Sequence, residues 1–171
     1  MKKILPVFVS IYLALIFFMP KTNIWFSGEK LLKNSHIVFS DEKVNDFGFF
    51  FSLKNANVYY DGLKSFTLKE AIVLPYLFFN QIILKDFKSS KDIGSALNLS
   101  ISSLKFTNSV LKPFFISIEG RGDIGNFNGE IDIKKRILKV MLSPSESFLK
   151  NVSLRKYFKK SKEGYIYEYR F

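Results

Sequence analysis

The sequence predicts a mainly β protein: an N-terminal transmembrane helix, then an antiparallel sheet, with one late amphipathic helix. Three observations predict it. The chain opens on a long uncharged apolar run. From about Ile37 the hydrophobic period becomes two, with glycine and Asp-Gly turns at short intervals. No βαβ alternation appears, which disfavours a parallel nucleotide-binding sheet. At 171 residues the chain suits one domain, and 47% hydrophobic residues with 20 Phe are too many for a disordered one.

The opening MKKILPVFVSIYLALIFFMPKTNIWF places Lys2 and Lys3 before an uncharged run from Ile4 to Met19, followed by Pro20 and Lys21. Such a run gives roughly 24 Å of helix, short of the ~30 Å hydrocarbon core, and so suits a signal sequence. It ends on Ile16, Phe17, Phe18 and Met19, however, where a signal peptidase needs small residues. With Trp25 and Phe26 at the headgroups, Ile4 to Phe26 would span. Residues 1–26 are therefore expected to be an uncleaved signal-anchor, with a cleaved signal and a buried N-terminal helix as the alternatives. Lys2 and Lys3 put the bulk of the chain outside the cytoplasm, an orientation that Lys21, Lys30 and Lys33 weaken.

Residues 27–171 form the expected extracytoplasmic β-rich domain. In NVYYDGLKSFTL, Val58 and Tyr60 alternate with polar neighbours, as do Phe66 and Leu68, across Asp61-Gly62. Asp-Gly between such runs marks a hairpin, because both central residues of a type I′ turn need positive φ. Alternation recurs at 82–87, 97–106, 114–120, 129–135 and 137–143. Apolar residues on one side and Lys, Ser, Asn and Asp on the other describe a sheet wetted on one face. In LPYLFFN (74–80), Leu77, Phe78 and Phe79 cannot all face one core, and Pro75 suggests an edge or break; these three are candidate lipid or partner contacts. A basic amphipathic helix is expected over about 144–162, with Ser143 as N-cap and Pro144 as first helical residue. Its Lys150, Arg155, Lys156, Lys159 and Lys160 are candidate membrane-surface contacts, worth up to about 1 kcal/mol each against anionic lipid. The favoured reading packs its apolar stripe on the sheet, with membrane or partner contact as the alternative. Gly164 ends the helix and GYIYEYRF adds a last strand.

Two well-known signatures overlap in FFISIEGRGDIGNFNG (114–129): GxGxxG at Gly120, Gly122 and Gly125, and RGD at Arg121–Asp123. A dinucleotide site needs a helix after the third glycine. Here NFNGEIDIKK alternates, and ILKVMLS offers no acidic residue for a ribose. Strand, turn, strand is the expectation, and the glycines hem in the RGD.

Other chemistry is thin. His36 is the sole histidine, with Asp41 and Glu42 read as turn residues. The remaining Asp residues, Asp92 among them, are scattered without metal-ligand spacing, so neither a catalytic nor a metal or cofactor site is expected, and the protein is not expected to be an enzyme. The absence of Cys excludes disulfides, thiolate sites and a lipoprotein anchor. The net charge of +11 comes almost wholly from Lys, with Arg only at 121, 136, 155 and 170, which argues against nucleic acid as a partner.

A signal-anchor, the YYDGLK hairpin and the stretch GRGDIGNFNGEIDI…LKVMLSPS together resemble the extracytoplasmic β-domains of AsmA-like proteins and of type II secretion system protein N. The likeness runs over about residues 1–145 and carries over no functional residue. It implies a curved antiparallel sheet, tethered to the bacterial inner membrane by a single pass with its bulk in the periplasm. The implied work is non-enzymatic: secretion, envelope assembly or lipid transport, with the membrane and a lipid or envelope protein as partners. A scaffold subunit binding a protein partner by sheet-edge addition is the alternative.

Overall fold

The computed structural model describes residues 4–90 and 99–171. Lys2, Lys3, Asp92 and the expected start of a strand at Leu97 and Asn98 lie outside these residues.

Two helices open the chain, α1 (Ile4–Phe18) and α2 (Lys21–Lys33), bent by 56° at the break between them. The continuous helix expected to Phe26 is thus corrected. Pro20 has no N–H to give and its ring clashes with the carbonyl four residues back, so the helix stops and restarts. No single helix is long and apolar enough to cross a membrane; the bent pair passes that test by length and composition. Trp25, expected at the headgroups, instead packs edge-on against Phe39 at 5.1 Å within the sheet core.

Among the described residues eleven strands follow: β1 (Ile37–Ser40), β2 (Lys43–Asp46), β3 (Phe51–Tyr60), β4 (Leu63–Tyr76), β5 (Phe79–Ser89), β6 (Ser100–Ser109), β7 (Lys112–Gly122), β8 (Gly125–Asp132), β9 (Ile137–Pro144), β10 (Lys159–Ser161) and β11 (Gly164–Arg170). They form one sheet in the order β1-β3-β4-β5-β6-β7-β8-β9-β11-β10, with β2 also on β3. Every pair is antiparallel and the sheet is open, with short strands at both edges. Short hairpins make sequence neighbours into spatial ones, as the alternation predicted. At the β3–β4 hairpin Asp61 and Gly62 have φ of 49° and 78°, and Tyr60 pairs with Leu63, the type I′ geometry read from Asp-Gly. Pro75 lies beyond the last β3–β4 pair, Phe51↔Val73, so β4 there has a strand partner on β5 alone.

One regularity escapes a strict period of two. Asn55 in β3 and Asp86 in β5 hold φ of 57° and 50°, and Ser102 is skipped where β6 meets β7. These lie in one row across the sheet, between the pairs Lys54↔Glu70, Lys85↔Glu70 and the pairs Ala56↔Leu68, Phe87↔Leu68. A left-handed residue turns the pleat by one step, and Asn and Asp tolerate that conformation best. Apolar residues on either side are therefore three apart: Leu53 and Ala56, Leu68 and Ala71, Leu84 and Phe87, Ile101 and Leu104. The apolar face so continues along strands too long for one uninterrupted pleat.

The core lies on that face. Phe51, Leu53, Ala56, Leu68 and Ala71 are buried together, with Trp25, Phe39, Val44 and Phe87 against them. A second centre holds Phe148, 0% exposed, against Phe158 at 5.2 Å and Tyr165 at 5.0 Å, above the buried Leu142. The late helix expected over 144–162 is corrected accordingly. It is two short helices, α3 (Glu146–Lys150) and α4 (Val152–Arg155), and Lys159 and Lys160 stand on strand β10. Asn151, in extended conformation, breaks the helix and caps its successor, its Oδ1 accepting from the Leu154 N–H at 3.0 Å. Ser145 is the N-cap in place of Ser143, and Pro144 ends β9.

The glycine stretch is strand, turn, strand: Gly122 pairs with Gly125 across Asp123-Ile124. Gly120 faces Phe127, whose ring fills the space a Cβ would take. Gly125 has φ of 118°, and a Cβ there would collide with the Ser143 carbonyl oxygen. Gly125→Ala is therefore expected to cost about 1–3 kcal/mol in denaturant unfolding of the detergent-solubilised chain. Gly28→Ala in α2, where nothing lies within 4 Å, serves as the control and should stabilise by ~0.5–1 kcal/mol.

Candidate functional site

Register divides the sheet into two unlike faces, because directly paired residues share a side. One row runs Val73↔Ile82↔Phe106↔Ile118, then Gly129↔Val140↔Tyr167 after the Ile118↔Gly129 pair. Its neighbours on the same face include the pairs Leu84↔Leu104 and Ile131↔Leu138. The opposite face carries the ion pairs Lys85–Glu70 at 2.8 Å and Lys105–Glu119 at 2.9 Å, and the row Glu130↔Lys139↔Glu168. The apolar face is covered at its flanks, by α2 with Trp25 against β1, β2 and β3, and by α3 with Phe148 against β9 and β11. On the middle strands it stays partly open: Ile82 is 41% exposed, and Leu84, Leu104, Phe106 and Ile116 are half-buried.

The two ends of the strands differ as well. At one end the connections among the described residues are Asp61-Gly62, Asp123-Ile124 and the basic segment from Ser145 to Glu163. At the other they are Phe47–Phe50, Leu77-Phe78, Val110-Leu111 and Ile133–Arg136. Leu77, Phe78, Phe79, Val110, Phe114 and Ile133 are all exposed there, and Leu111 is 92% exposed. Helix α1 joins this end: the Tyr12 ring lies 5.5 Å from that of Phe78, and Phe17 lies 5.4 Å from Phe49. Ile11, Leu15, Phe18 and Leu77 line an open apolar recess between helix and hairpin. α1 itself is apolar all round yet buries one residue, Ile16. A helix of that composition is ordinarily enclosed on every side.

The sequence candidates fall on opposite ends. Leu77 and Phe78 form the β4–β5 turn and Phe79 opens β5, at the apolar end beside α1. Lys150, Arg155, Lys156, Lys159 and Lys160 surround the far end or the β10 edge, so the structure does not bring the two sets together. Lys150 is 82% exposed and pairs at 3.7 Å with Glu146, an arrangement of little energetic weight. Phe148 packs as the stripe reading expected, while Val152 and Tyr157 remain exposed. His36 Nδ1 lies 3.2 Å from Asp61 Oδ1, not beside Asp41, and both are solvent-exposed. Arg121 of the RGD is held by its Nε donating to Asn126 Oδ1 at 3.1 Å, on the polar face.

Sequence reasoning missed Val110, Leu111, Phe114 and Ile133. Their signal is an apolar residue at a turn, as in NSVLKPF, where polar residues are the norm. Their electrostatic setting is cationic. Lys134 Nζ sits 4.6 Å above the Phe114 ring, and Lys112, Arg136 and Arg170 are exposed nearby at the same strand ends. Asp132 offsets part of this charge: its Oδ1 accepts from the Lys135 N–H at 2.9 Å, and its Oδ2 lies 3.3 Å from Lys135 Nζ.

That backbone hydrogen bond, with the Lys135 ammonium, holds the Asp132 carboxyl below its ordinary range. A lowered folded-state pKa adds stability above the unfolded value, and this is lost as pH falls through the folded one. Asp132→Asn should therefore weaken the fold at neutral pH and flatten the acid limb of a stability–pH curve followed by circular dichroism. No protein-family model, curated protein or solved structure matches this chain, so its function is read from these two faces and two ends alone.

Proposed function

We propose that the protein is a non-enzymatic component of the bacterial envelope, anchored in the inner membrane through α1, whose periplasmic sheet shelters lipid acyl chains on its apolar face during lipid transport or envelope assembly. The observation that carries this reading is the pairing of an uncovered apolar helix with a one-sided sheet whose middle strands keep Ile82, Phe106 and their neighbours partly open. Each Å² of that surface covered by an acyl chain gains about 25 cal/mol, and a methylene chain needs no polar partner to lie there. The wet opposite face, with its cross-strand Lys–Glu pairs, keeps such a sheet soluble in the aqueous layer. Curvature of the sheet into a groove belongs to this same proposal.

Secretion by way of a protein complex is the second reading, and one feature favours it. β10 pairs with β11 only from Gly164 to Ile166, so Tyr167 to Arg170 form a sheet edge on which a partner strand would add.

Native mass spectrometry of the full chain released gently from membranes tests both. Co-purifying phospholipid-sized adducts are expected, and Ile82→Asp, at a site exposed enough to accept the charge, should remove them without changing the circular dichroism spectrum. Lipid-free protein carrying one stoichiometric partner, released when Tyr169 is replaced by Pro, would overturn the lipid reading in favour of the scaffold.

A further inference from the structure

We infer that the apolar end of the sheet is a second membrane contact: the β4–β5 and β6–β7 tips dip into an anionic bilayer beside α1, standing the strands upright on its surface. This rests on the reading of α1 as the membrane anchor and adds to it a docked orientation.

Depth is the first observation. Tyr12, which meets Phe78, precedes Met19 at the end of the apolar run by seven residues, roughly 10 Å along a helix. If α1 lies in the bilayer with Pro20 and Lys21 at its outer surface, the 77–79 tip is level with the middle of the helix. A tip at that depth must be apolar and must satisfy its backbone. Leu77, Phe78 and Phe79 meet the first demand. The Tyr76↔Phe79 pair and the Val110 N–H, which donates to the Phe78 carbonyl at 3.1 Å, meet the second and join the two tips.

Charge is the second. Lys134, Arg136 and Arg170, all exposed, stand back from the tips at the height where phosphate groups would lie, and Lys112, which closes the β6–β7 tip opposite Ser109, would extend its long side chain toward the same height. The carboxylates at this end are engaged, Asp132 by Lys135 and Asp46 by the buried Lys21 at 3.8 Å. Aromatic and aliphatic tips with a cationic collar match an anionic bilayer surface. Among the described residues, the opposite strand ends turn on Asp61-Gly62 and Asp123-Ile124, and the apolar residues exposed there, Leu63 and Val152 among them, flank turns or lie on the short helices and do not form hairpin tips. The short α1, about 22 Å long, also gains apolar neighbours where it would otherwise be flanked by lipid alone.

The chain has no cysteine, so single labels are clean. Leu13→Cys, Leu111→Cys and Asp123→Cys, each carrying an environment-sensitive fluorophore, would be reconstituted as full chains in phosphatidylcholine vesicles with about one third phosphatidylglycerol and with brominated lipid as quencher. Quenching at Leu13 and Leu111, and a water-like signal at Asp123, are expected. Lys134→Glu combined with Arg136→Glu should lower the docked-to-free ratio read at Leu111 by about tenfold, and only in the anionic vesicles. Quenching at Leu13 with Leu111 as wet as Asp123 overturns the docked edge and leaves the anchor standing. An unquenched Leu13 overturns the anchor and the docked edge together. A Leu111 probe shielded from water but not quenched by brominated lipid assigns the tips to a protein partner or a second copy and overturns the proposal. Indifference to the charge reversals overturns the headgroup part.

Discussion

An antiparallel sheet with one apolar face must have that face covered, and the molecule is organised by how incompletely the described residues do so. Trp25 and Phe39 close one flank; Phe148, Phe158 and Tyr165 close the other. Between them the row through Ile82 and Phe106 is left half-open. The opposite face needs no cover, since its Lys and Glu residues pair across strands in water. Among the described residues, the middle of this face lacks the second layer that covers such a face in most domains.

The junction at Pro20 and Lys21 sets how α1 stands to the sheet. Pro20 breaks the helix, and Lys21, fully buried, turns its ammonium back onto the carbonyls of Phe17 and Met19, each at 3.2 Å. The Phe17 carbonyl belongs to the last turn of α1, the Met19 carbonyl just beyond it also accepts from the Lys21 N–H at 2.8 Å, and a cation there suits the helix dipole. Asp46, 3.8 Å away on β2, ties the same ammonium to the sheet. A buried Lys is tolerable only when so satisfied. On the proposed reading, this one side chain holds the anchor against the strands and thereby brings Tyr12 to Phe78 and Phe17 to Phe49.

The row of Asn55, Asp86 and Ser102 solves a separate problem. Strands as long as β4 twist, and an uninterrupted pleat would carry the apolar side away from its cover. A shared step across neighbouring strands resets the phase while leaving each ladder antiparallel. The cost falls on residues that bear positive φ readily, so the sheet bends without a glycine at either position.

What the sequence determined by itself was most of what depends on near neighbours. Period-two alternation, Asp-Gly at 61–62 and the glycines around Arg121 act over a few residues, and the hairpins and strands they predict are those observed. The late basic segment misled because its apolar residues fit a helical period, yet Asn151 offered a local hydrogen bond that ended one helix and began another. Only the tertiary structure decided which turns share an end of the sheet, and hence that Leu77, Leu111 and Ile133 stand together while Lys150 and Lys160 lie away from them. Strand direction reverses at every hairpin, so two residues thirty apart in the chain can meet at one rim or stand a strand's length apart, and no local pattern distinguishes the two. Trp25 shows the same limit: an aromatic after an apolar run reads as a headgroup anchor until the bend at Pro20 turns it onto Phe39.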